Sequence, residues 1–256
     1  MEYLTGGREN QIVRSGKLLY RPAGFWSPSV HLLLKHVRRH GFCGVPEPLG
    51  FADDGREILT FIDGEVSNYP LSPAAASQEA LESAAQLLHA YHEASASFLP
   101  DAASLQWMLP PQEPAEVICH GDFAPYNVVL AGDTAVAIID FDTAYPGPRI
   151  WDVAYGAYRW VPLHNPQNPA GLADLDIQIQ RTKLFCDAYG LPGHDRLAII
   201  DVTISRLQAL IDFMQKEAAQ GSKTFQAHLA AGHHLVYRDD MAFLRDNQAQ
   251  IIQGLL

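Results

Sequence analysis

The sequence has little cysteine, more acidic than basic residues, and no long apolar run. Cys43, Cys119 and Cys186 are widely spaced and form no C-x-x-C pair, which argues against disulfides and structural zinc. Lys and Arg number 18 against 29 Asp and Glu, for a formal net charge of −11, whereas a nucleic-acid binder needs a basic surface. No apolar run approaches the roughly 20 residues of a membrane span. We therefore expect reduced thiols, and neither a nucleic acid nor a membrane as partner.

The rest of the composition is that of a globular domain. Hydrophobic residues make up 48% and charged residues 18% of the 256 positions, enough for one bilobal domain or two packed lobes. The opening segment Met1–Leu4 carries an acid and no signal-peptide core. We expect a cytoplasmic protein that is a monomer or a weak homodimer.

The charges are unevenly distributed along the chain. Residues 1–41 hold seven Lys or Arg and two Glu, whereas residues 42–160 hold seventeen Asp or Glu and three Arg. A basic segment followed by an acidic one suits an anionic ligand near residues 1–41 and a cationic ligand near residues 42–160. An acidic surface also keeps a protein soluble.

The strongest functional signal is a group of polar residues between positions 120 and 140. His120, Gly121 and Asp122 are consecutive, Asn127 follows five positions after Asp122, and Asp140 ends an apolar run. Phosphoryl transfer needs a carboxylate that receives a hydroxyl proton, together with an amide and a carboxylate that hold Mg²⁺ on a nucleotide. The group supplies each of these parts.

A predicted hairpin brings two of these residues together. The strand-like runs 128–130 and 135–139 flank turn residues at 131–134, a pattern typical of a β-hairpin. Asn127 then begins one strand and Asp140 ends its neighbour, where paired backbones lie about 5 Å apart, so both side chains can reach one ion. Mg²⁺ prefers a few hard oxygen ligands, completed by water and phosphate. Asp122 faces the same ion from the acceptor side, placed to bind an incoming hydroxyl.

The order of these residues resembles that of the aminoglycoside phosphotransferase and choline kinase-like family. These are small-molecule kinases with a protein-kinase-like fold. The resemblance covers residues 4 to about 160, and it is carried by His120–Asn127, Ile139–Asp142, Gly147–Ala154, and upstream by Leu4–Gly7 with Asn10, Leu18–Arg21, Val45–Pro48, Ile58–Glu65 and Leu87–His92.

The resemblance implies an α+β, bilobal protein-kinase-like fold. A small antiparallel-sheet lobe with one helix would occupy residues 1–62, residues 63–65 would form the hinge, and a larger mostly helical lobe carrying the catalytic β-hairpin would occupy residues 66–256. Sequence patterns support this division. They predict a helix with Ser27 as cap and Pro28 in its first turn, strands near 48–52 and 57–62, and helices along 81–91, 175–189 and 200–214.

The resemblance also implies a role for each candidate residue. Asp122 would be the catalytic base, Asn127 and Asp140 the Mg²⁺ ligands, Gly6, Gly7 and Arg21 the contacts to the phosphates of ATP or GTP, and Thr60 to Ile62 the backbone contacts to the nucleobase. His120 and Asp152 would support the catalytic loop. Asp142 is either a second ligand or a turn residue. Cys119, at the end of an apolar run, is expected to be a buried residue and not a nucleophile.

Three departures from the kinase pattern affect the phosphate site. Protein kinases place a Lys on the third strand and pair it with a Glu of the following helix. Here the strand position holds Arg21, and the segment from Ser27 to His40 contains no acid, so its ion pair is missing or supplied from elsewhere. Gly6 and Gly7 also form a shorter glycine turn than a protein kinase has.

Two other functions compete with a kinase. A pseudokinase that binds a nucleotide or substrate, such as an immunity or sequestering protein, would fit the departures above. A metal phosphoesterase would need further ligands from His164, His194, His233 or His234, none of which lies in a paired ligand motif. The acceptor itself stays open among aminoglycosides, choline-like amines, amino sugars and macrolides. Its pocket would come from residues 160–256, where Asp174, Asp176, Asp187, Asp239 and Asp240 either meet a cation or face water.

Overall fold

A computed structural model of the chain describes residues 2–4, 12–168 and 174–256. The fold is α+β, as expected, with a small antiparallel sheet beside a larger helical region. No helix among these residues is both long and apolar enough to cross a membrane.

A five-stranded antiparallel sheet forms the first part of the fold. Its strands are β1 (Glu2–Leu4), β2 (Ile12–Ser15), β3 (Leu18–Pro22), β4 (Pro48–Phe51) and β5 (Arg56–Thr60), in the order β1-β2-β3-β5-β4. The register of β3 and β5 places Arg21 opposite Glu57. Side chains alternate along β5, so Glu57 and Leu59 are both buried. The sheet thus carries an opposed charged pair into the interior.

β4 and β5 are each one residue shorter than the predicted strands near 48–52 and 57–62. β4 ends before Ala52 because a turn begins there, closed by the Gly55 N–H, which donates to the Ala52 carbonyl at 2.9 Å. β5 begins one residue earlier than predicted and ends at Thr60, so Ile62 lies in the segment that leaves the sheet.

Helix α1 (Ser27–Arg39) packs against the sheet through one apolar stripe. Val30, Leu33, Leu34 and Val37 are buried, and each buried side chain of this size contributes about 1.5–3 kcal/mol. The predicted cap was wrong: Trp26 is the cap residue, and Ser27 is already helical. The Ser27 hydroxyl accepts a bond from the Gly24 N–H, so it stabilises the preceding turn.

A two-stranded hairpin lies in the second part of the fold. Strand β6 (Val117–Cys119) precedes it, β7 (Val128–Ala131) and β8 (Thr134–Ile138) form it, and β9 (Tyr145–Gly147) follows and pairs with β6. Gly132 in the two-residue turn has φ +64, which glycine adopts readily. The predicted hairpin is therefore present, with Val128 opposite Ile138.

Helices make up most of the remaining chain. They are α2 (Pro73–Ala76), α3 (Gln78–Ala96), α4 (Leu99–Ala102), α5 (Arg149–Trp160), α6 (Leu175–Tyr189), α7 (Gly193–Ala219), α8 (Lys223–Ala230), α9 (His233–Asp246) and α10 (Gln248–Leu255). The predicted apolar stripe of α3, from Leu81 to Tyr91, is fully buried. α6 ends at Gly190, which has φ +81, as the glycine stop signal predicted.

The segment that follows β5 packs on the hairpin. Glu65 and Leu130 exchange two backbone hydrogen bonds, of 3.0 and 2.7 Å. Gly64 has φ +146, and a Cβ there would lie 2.4 Å from Val129 Cγ1. This close approach needs glycine and fixes the hairpin beneath the small sheet.

Candidate active site

The hairpin positions Asn127 and Asp140 at the same end of two paired strands. Asn127 ends a short 3-10 turn before β7, and Asp140 follows β8 after Ile139. The Ile139 N–H donates to the Asn127 carbonyl at 2.9 Å, so the two backbones are directly paired. Asp140 has φ 61, a left-handed conformation that no other described non-glycine residue adopts. The direction of the Asp140 side chain at the end of the hairpin is therefore set by a backbone conformation that is rare for a residue with a Cβ.

Asp122 and Asn127 are joined by direct hydrogen bonds. Asn127 Nδ2 donates to Asp122 Oδ2 at 2.9 Å and to the Asp122 carbonyl at 3.0 Å. Because both acceptors are oxygens, the amide nitrogen must face them, and the Asn127 Oδ1 is directed elsewhere. Tyr126 Oη donates to the other oxygen, Asp122 Oδ1, at 2.8 Å. Asp122 is thus held by two donors from the turn that follows it.

The environment of Asp122 makes it a stronger base than an exposed aspartate. Burial raises the pKa of Asp122, while the Tyr126 hydrogen bond and the nearby His120, Arg159 and Arg206 lower it. The net direction is upward, as expected of a carboxylate poised to receive a proton.

The loop that carries Asp122 is fixed by His120. The Asp122 N–H donates to His120 Nδ1 at 3.2 Å, so His120 carries its proton on Nε2 and donates it to the Ile139 carbonyl at 2.9 Å. The ring lies edge-on to Phe141, at 4.7 Å. His120 thereby ties the Asp122 loop to the strand end before Asp140.

Asp152 supports the same loop from beneath. Its carboxylate accepts the His120 N–H at 2.6 Å and the Gly121 N–H at 2.9 Å, and it contacts His92 Nε2 at 3.1 Å. Burial alone would raise the pKa of Asp152, but His92 and His120 bring it below its ordinary value. A charged carboxylate is therefore stable here, and it needs all of these donors.

Arg21 is the centre of a buried ionic cluster. Its three guanidinium nitrogens each donate at 2.7 Å to a carboxylate, Nε to Glu57, Nη1 to Asp140 and Nη2 to Asp142. Burial alone would lower the pKa of Arg21, but Asp142, Asp140 and Glu57 raise it above its ordinary value. The cation joins the small sheet to the segment that follows the hairpin.

Glu57 supplies the ion pair for which α1 has no acid. It is 1% exposed, and its second oxygen contacts His31 Nε2 of α1 at 2.9 Å. The acid therefore lies on the neighbouring strand, and the helix contributes a histidine in its place. Sequence reasoning missed both residues. The available signal was an acid on the inward-facing side of β5, a position that needs a buried partner.

Most of the other residues predicted to contact the nucleotide are either not described or already have backbone partners. Gly6 and Gly7 lie outside the described residues. The Thr60 N–H donates to the Glu47 carbonyl at 3.0 Å, and the Phe61 N–H donates to the Lys17 carbonyl at 2.8 Å. Of the segment from Thr60 to Ile62, the first two amides are therefore engaged within the sheet.

Several of the acids considered for the acceptor pocket have local partners. Asp240 is buried and accepts hydrogen bonds from Tyr158, Asn165 and Asn168. Asp174 caps α6, and Asp187 pairs with Arg196 at 2.6 Å.

The histidines considered for a metal phosphoesterase, and Cys119 as a nucleophile, do not form a second candidate site among the described residues. Across residues 2–4, 12–168 and 174–256, no three His, Cys, Asp or Glu side chains form a group that could hold a metal. His194 is exposed beside Asp195, and His233 stacks near His228. Cys119 is buried, and burial raises the pKa of its thiol, so it is an inert side chain.

Comparison with known proteins identifies a relative of most of the chain and a family model that matches part of it. Residues 102–185 match the model of a phosphotransferase enzyme family. The trifolitoxin immunity protein of Rhizobium leguminosarum bv. trifolii is 31% identical over 227 residues, which are 86% of this chain and 83% of that protein.

Solved structures share the fold at low identity. A choline/ethanolamine kinase family protein from Mesorhizobium loti has a TM-score of 0.64 and 14% identity, over 98% of this chain and 90% of that chain. An amicoumacin kinase in complex with AMP-PNP, Ca²⁺ and Ami has a TM-score of 0.58 and 10% identity, over the same shares of the two chains. The predicted protein-kinase-like fold class is confirmed.

Proposed function

This chain belongs to a phosphotransferase enzyme family, and we propose that it transfers the γ-phosphoryl group of ATP or GTP to a hydroxyl of a small molecule. The observation that carries the proposal is the bonded pair of Asp122 and Asn127 at the hairpin end that leads to Asp140. Reduced cysteines and a nucleotide co-substrate favour a cytoplasmic location for this reaction.

Asp122 would act as the base and positioner. The acceptor hydroxyl oxygen bonds the γ-phosphorus while the bond from that phosphorus to the β–γ bridging oxygen breaks, and the nucleoside diphosphate leaves. The hydroxyl proton passes to Asp122, whose pKa is raised by burial. Since the transition state of such transfers is loose, alignment of the hydroxyl accounts for much of the effect of the base.

Asn127 and Asp140 would hold Mg²⁺. The fit rests on their chemistry: the Asn127 amide nitrogen is turned to Asp122, which leaves its oxygen to face elsewhere, and the Asp140 side chain is 41% exposed. An amide and a carboxylate oxygen are the hard ligands that Mg²⁺ takes beside nucleotide phosphates. The ion would neutralise charge on the transferring phosphoryl group.

Arg21, with Gly6 and Gly7, would contact the phosphates, and Ile62 the nucleobase. Glu57 holds Arg21 Nε from the sheet, so the two Nη atoms, which now contact Asp140 and Asp142, are the donors that can turn to phosphate. Arginine presents these donors as a planar fork that matches phosphate oxygens.

The test measures ADP or GDP release with Mg-ATP or Mg-GTP and a panel of alcohols that includes kanamycin, choline and ethanolamine. We expect Asp122→Asn to lower turnover by about 10²- to 10⁴-fold while nucleotide affinity changes only a few-fold. Asp140→Ala should abolish Mg²⁺-dependent nucleotide binding. Asp133→Asn, in the exposed hairpin turn, should change neither turnover nor nucleotide binding. Tight Mg²⁺-dependent binding by Asp140→Ala would show that the metal assignment is wrong.

A second candidate is a sequestering protein that binds nucleotide or substrate without turnover. It is favoured by the relative named as a trifolitoxin immunity protein and by the engagement of Asp140 and Asp142 with Arg21. In the same assay, saturable binding of Mg-ATP without any acceptor-dependent ADP release would support this function over a kinase.

A further inference from the structure

Tyrosines surround the acceptor side of Asp122. Tyr126 bonds Asp122 directly, and its ring lies 6.5 Å from that of Tyr69. Tyr158 lies 6.2 Å from Tyr155 and 6.5 Å from Tyr237. These five rings come from α5, α9 and the segments before α2 and β7, and we call them the tyrosine cage.

The cage is already filled by a cation of the chain itself. The guanidinium carbon of Arg159 lies 4.4 Å from the centroid of Tyr69, 5.3 Å from Tyr126 and 5.9 Å from Tyr158. Burial alone would lower the pKa of Arg159, tyrosines are the groups that most raise it, and its Nε is buried without a hydrogen-bond partner. A buried guanidinium nitrogen without an acceptor is costly unless a ligand or water supplies one.

A second buried group next to the cage also lacks partners. Both ring nitrogens of His164 are buried without a hydrogen bond, and the ring lies 4.9 Å from Tyr158. Burial, followed by the charge of Arg159, lowers the pKa of His164 to about 3, so the ring is neutral and offers one N–H donor. Two independent unpaired groups therefore adjoin the same set of rings.

A further arginine stands beneath the catalytic loop. Arg206 of α7 lies over Tyr155 at 4.3 Å, donates Nη2 to the Gly121 carbonyl, and has a buried Nε without a partner. Two acids lie near this region: Asp122 accepts hydrogen bonds from Tyr126 and Asn127, and Asp240 accepts them from Tyr158, Asn165 and Asn168. The acceptor side of Asp122 thus carries two arginines with unsatisfied donors.

This arrangement decides the charge of a suitable ligand. Aromatic faces attract a cation, but here they already hold Arg159, and a cationic ligand would meet its repulsion. An anionic group would supply the missing acceptor for a guanidinium, which binds carboxylates and phosphates through its planar donors. The distribution of charge along the sequence suggested the opposite, a cationic acceptor, because it could not show that these arginines lie beside the base.

We propose that the acceptor carries a carboxylate or another anionic group, which Arg159 binds in the tyrosine cage while the acceptor hydroxyl reaches Asp122. This rests on the proposed phosphotransferase function, whose acceptor class it narrows.

The test uses three six-carbon probes that share a polyol chain and differ in charge: gluconate, glucitol and glucamine. Their dissociation constants are measured by calorimetry with Mg-AMP-PNP present, so binding is scored without turnover. We expect gluconate to bind at least tenfold more tightly than glucamine, with glucitol between them. Arg159→Gln should reduce this preference to less than threefold. Arg149→Gln, at an arginine of the same helix that pairs with Glu93 at 2.8 Å, should preserve it.

Several results would overturn the proposal. These are glucamine binding as tightly as gluconate, a preference that survives in Arg159→Gln, and no binding of gluconate to the native protein. Should Arg159→Gln fail to fold, Arg159→Lys decides, since a retained cation must keep most of the preference. Failure of the phosphotransferase function appears separately, as an absence of ADP release from Mg-ATP with any alcohol.

Discussion

Glu57 provides the sharpest test of how the small sheet is joined to the segment that carries Asp140 and Asp142. The change is Glu57→Gln, which keeps the size of the side chain and one acceptor but removes the charge between Arg21 and His31. Glu57 is 1% exposed and its Arg21 partner 11% exposed, so water replaces little of what is lost.

The expected cost follows from burial and from the partners that remain. Removing one member of a buried ion pair costs about 3–5 kcal/mol when the other charge is left alone, and a hydrogen bond to a charged group is worth about 1.5–3 kcal/mol. Arg21 keeps Asp140 and Asp142 as partners. We therefore expect a loss of about 2–3 kcal/mol of unfolding free energy, closer to the cost of one hydrogen bond to a charged group than to that of a broken buried ion pair. In a chain of this size this lowers Tm by about 4–12 °C.

Asp63→Asn is the matched control. Asp63 pairs with Arg14 at 2.6 Å, a similar bond length, but the two side chains are 67% and 30% exposed, so its loss should cost less than about 1 kcal/mol. Unfolding of the three proteins in urea is compared at 0.05 and 0.5 M NaCl. Because salt screens exposed pairs, it should reduce the Asp63 effect and leave the Glu57 effect nearly unchanged. Equal free-energy losses in the two variants would refute the reasoning.

Two further predictions concern the loop that carries Asp122. Gly121 has φ +79, and a Cβ there would lie 2.2 Å from the Thr143 carbonyl oxygen, whereas Gly132, with φ +64, has nothing within 4 Å. Both substitutions by Ala force a left-handed Ala, at about 1–2 kcal/mol, but only Gly121→Ala should cost several kcal/mol more and lose activity. Comparable melting temperatures for the two would contradict this. For Tyr126→Phe, we expect the acid limb of the pH profile of kcat to move to higher pH. Burial raises the pKa of Asp122 and the Tyr126 hydroxyl lowers it, so losing the hydroxyl raises that pKa further, and the carboxylate base is protonated at a higher pH. A limb that stays in place or moves to lower pH would show that the hydroxyl has no such effect.

The local sequence by itself determined the β7–β8 hairpin and the end of α6. The apolar runs on either side of the Gly132 turn specify the hairpin, because strand length and turn chemistry are both contained in about ten residues. Gly190 specifies the end of α6 for the same reason. The cap of α1 was assigned wrongly because the Ser27 hydroxyl bonds a turn residue, and a short polar side chain near a helix start can serve either use.

What only the tertiary structure decided is the partner of each buried charge. Arg21 and Glu57 are 36 residues apart and become neighbours because β5, and not β4, pairs with β3. Arg159 lies among tyrosines from four separate parts of the chain, so no local sequence pattern shows that its charge is buried beside Asp122. A side chain's type is given by the sequence, but its electrostatic environment depends on which distant segments the fold packs against it. Here that environment is the basis of both the proposed phosphate contact and the charge proposed for the acceptor.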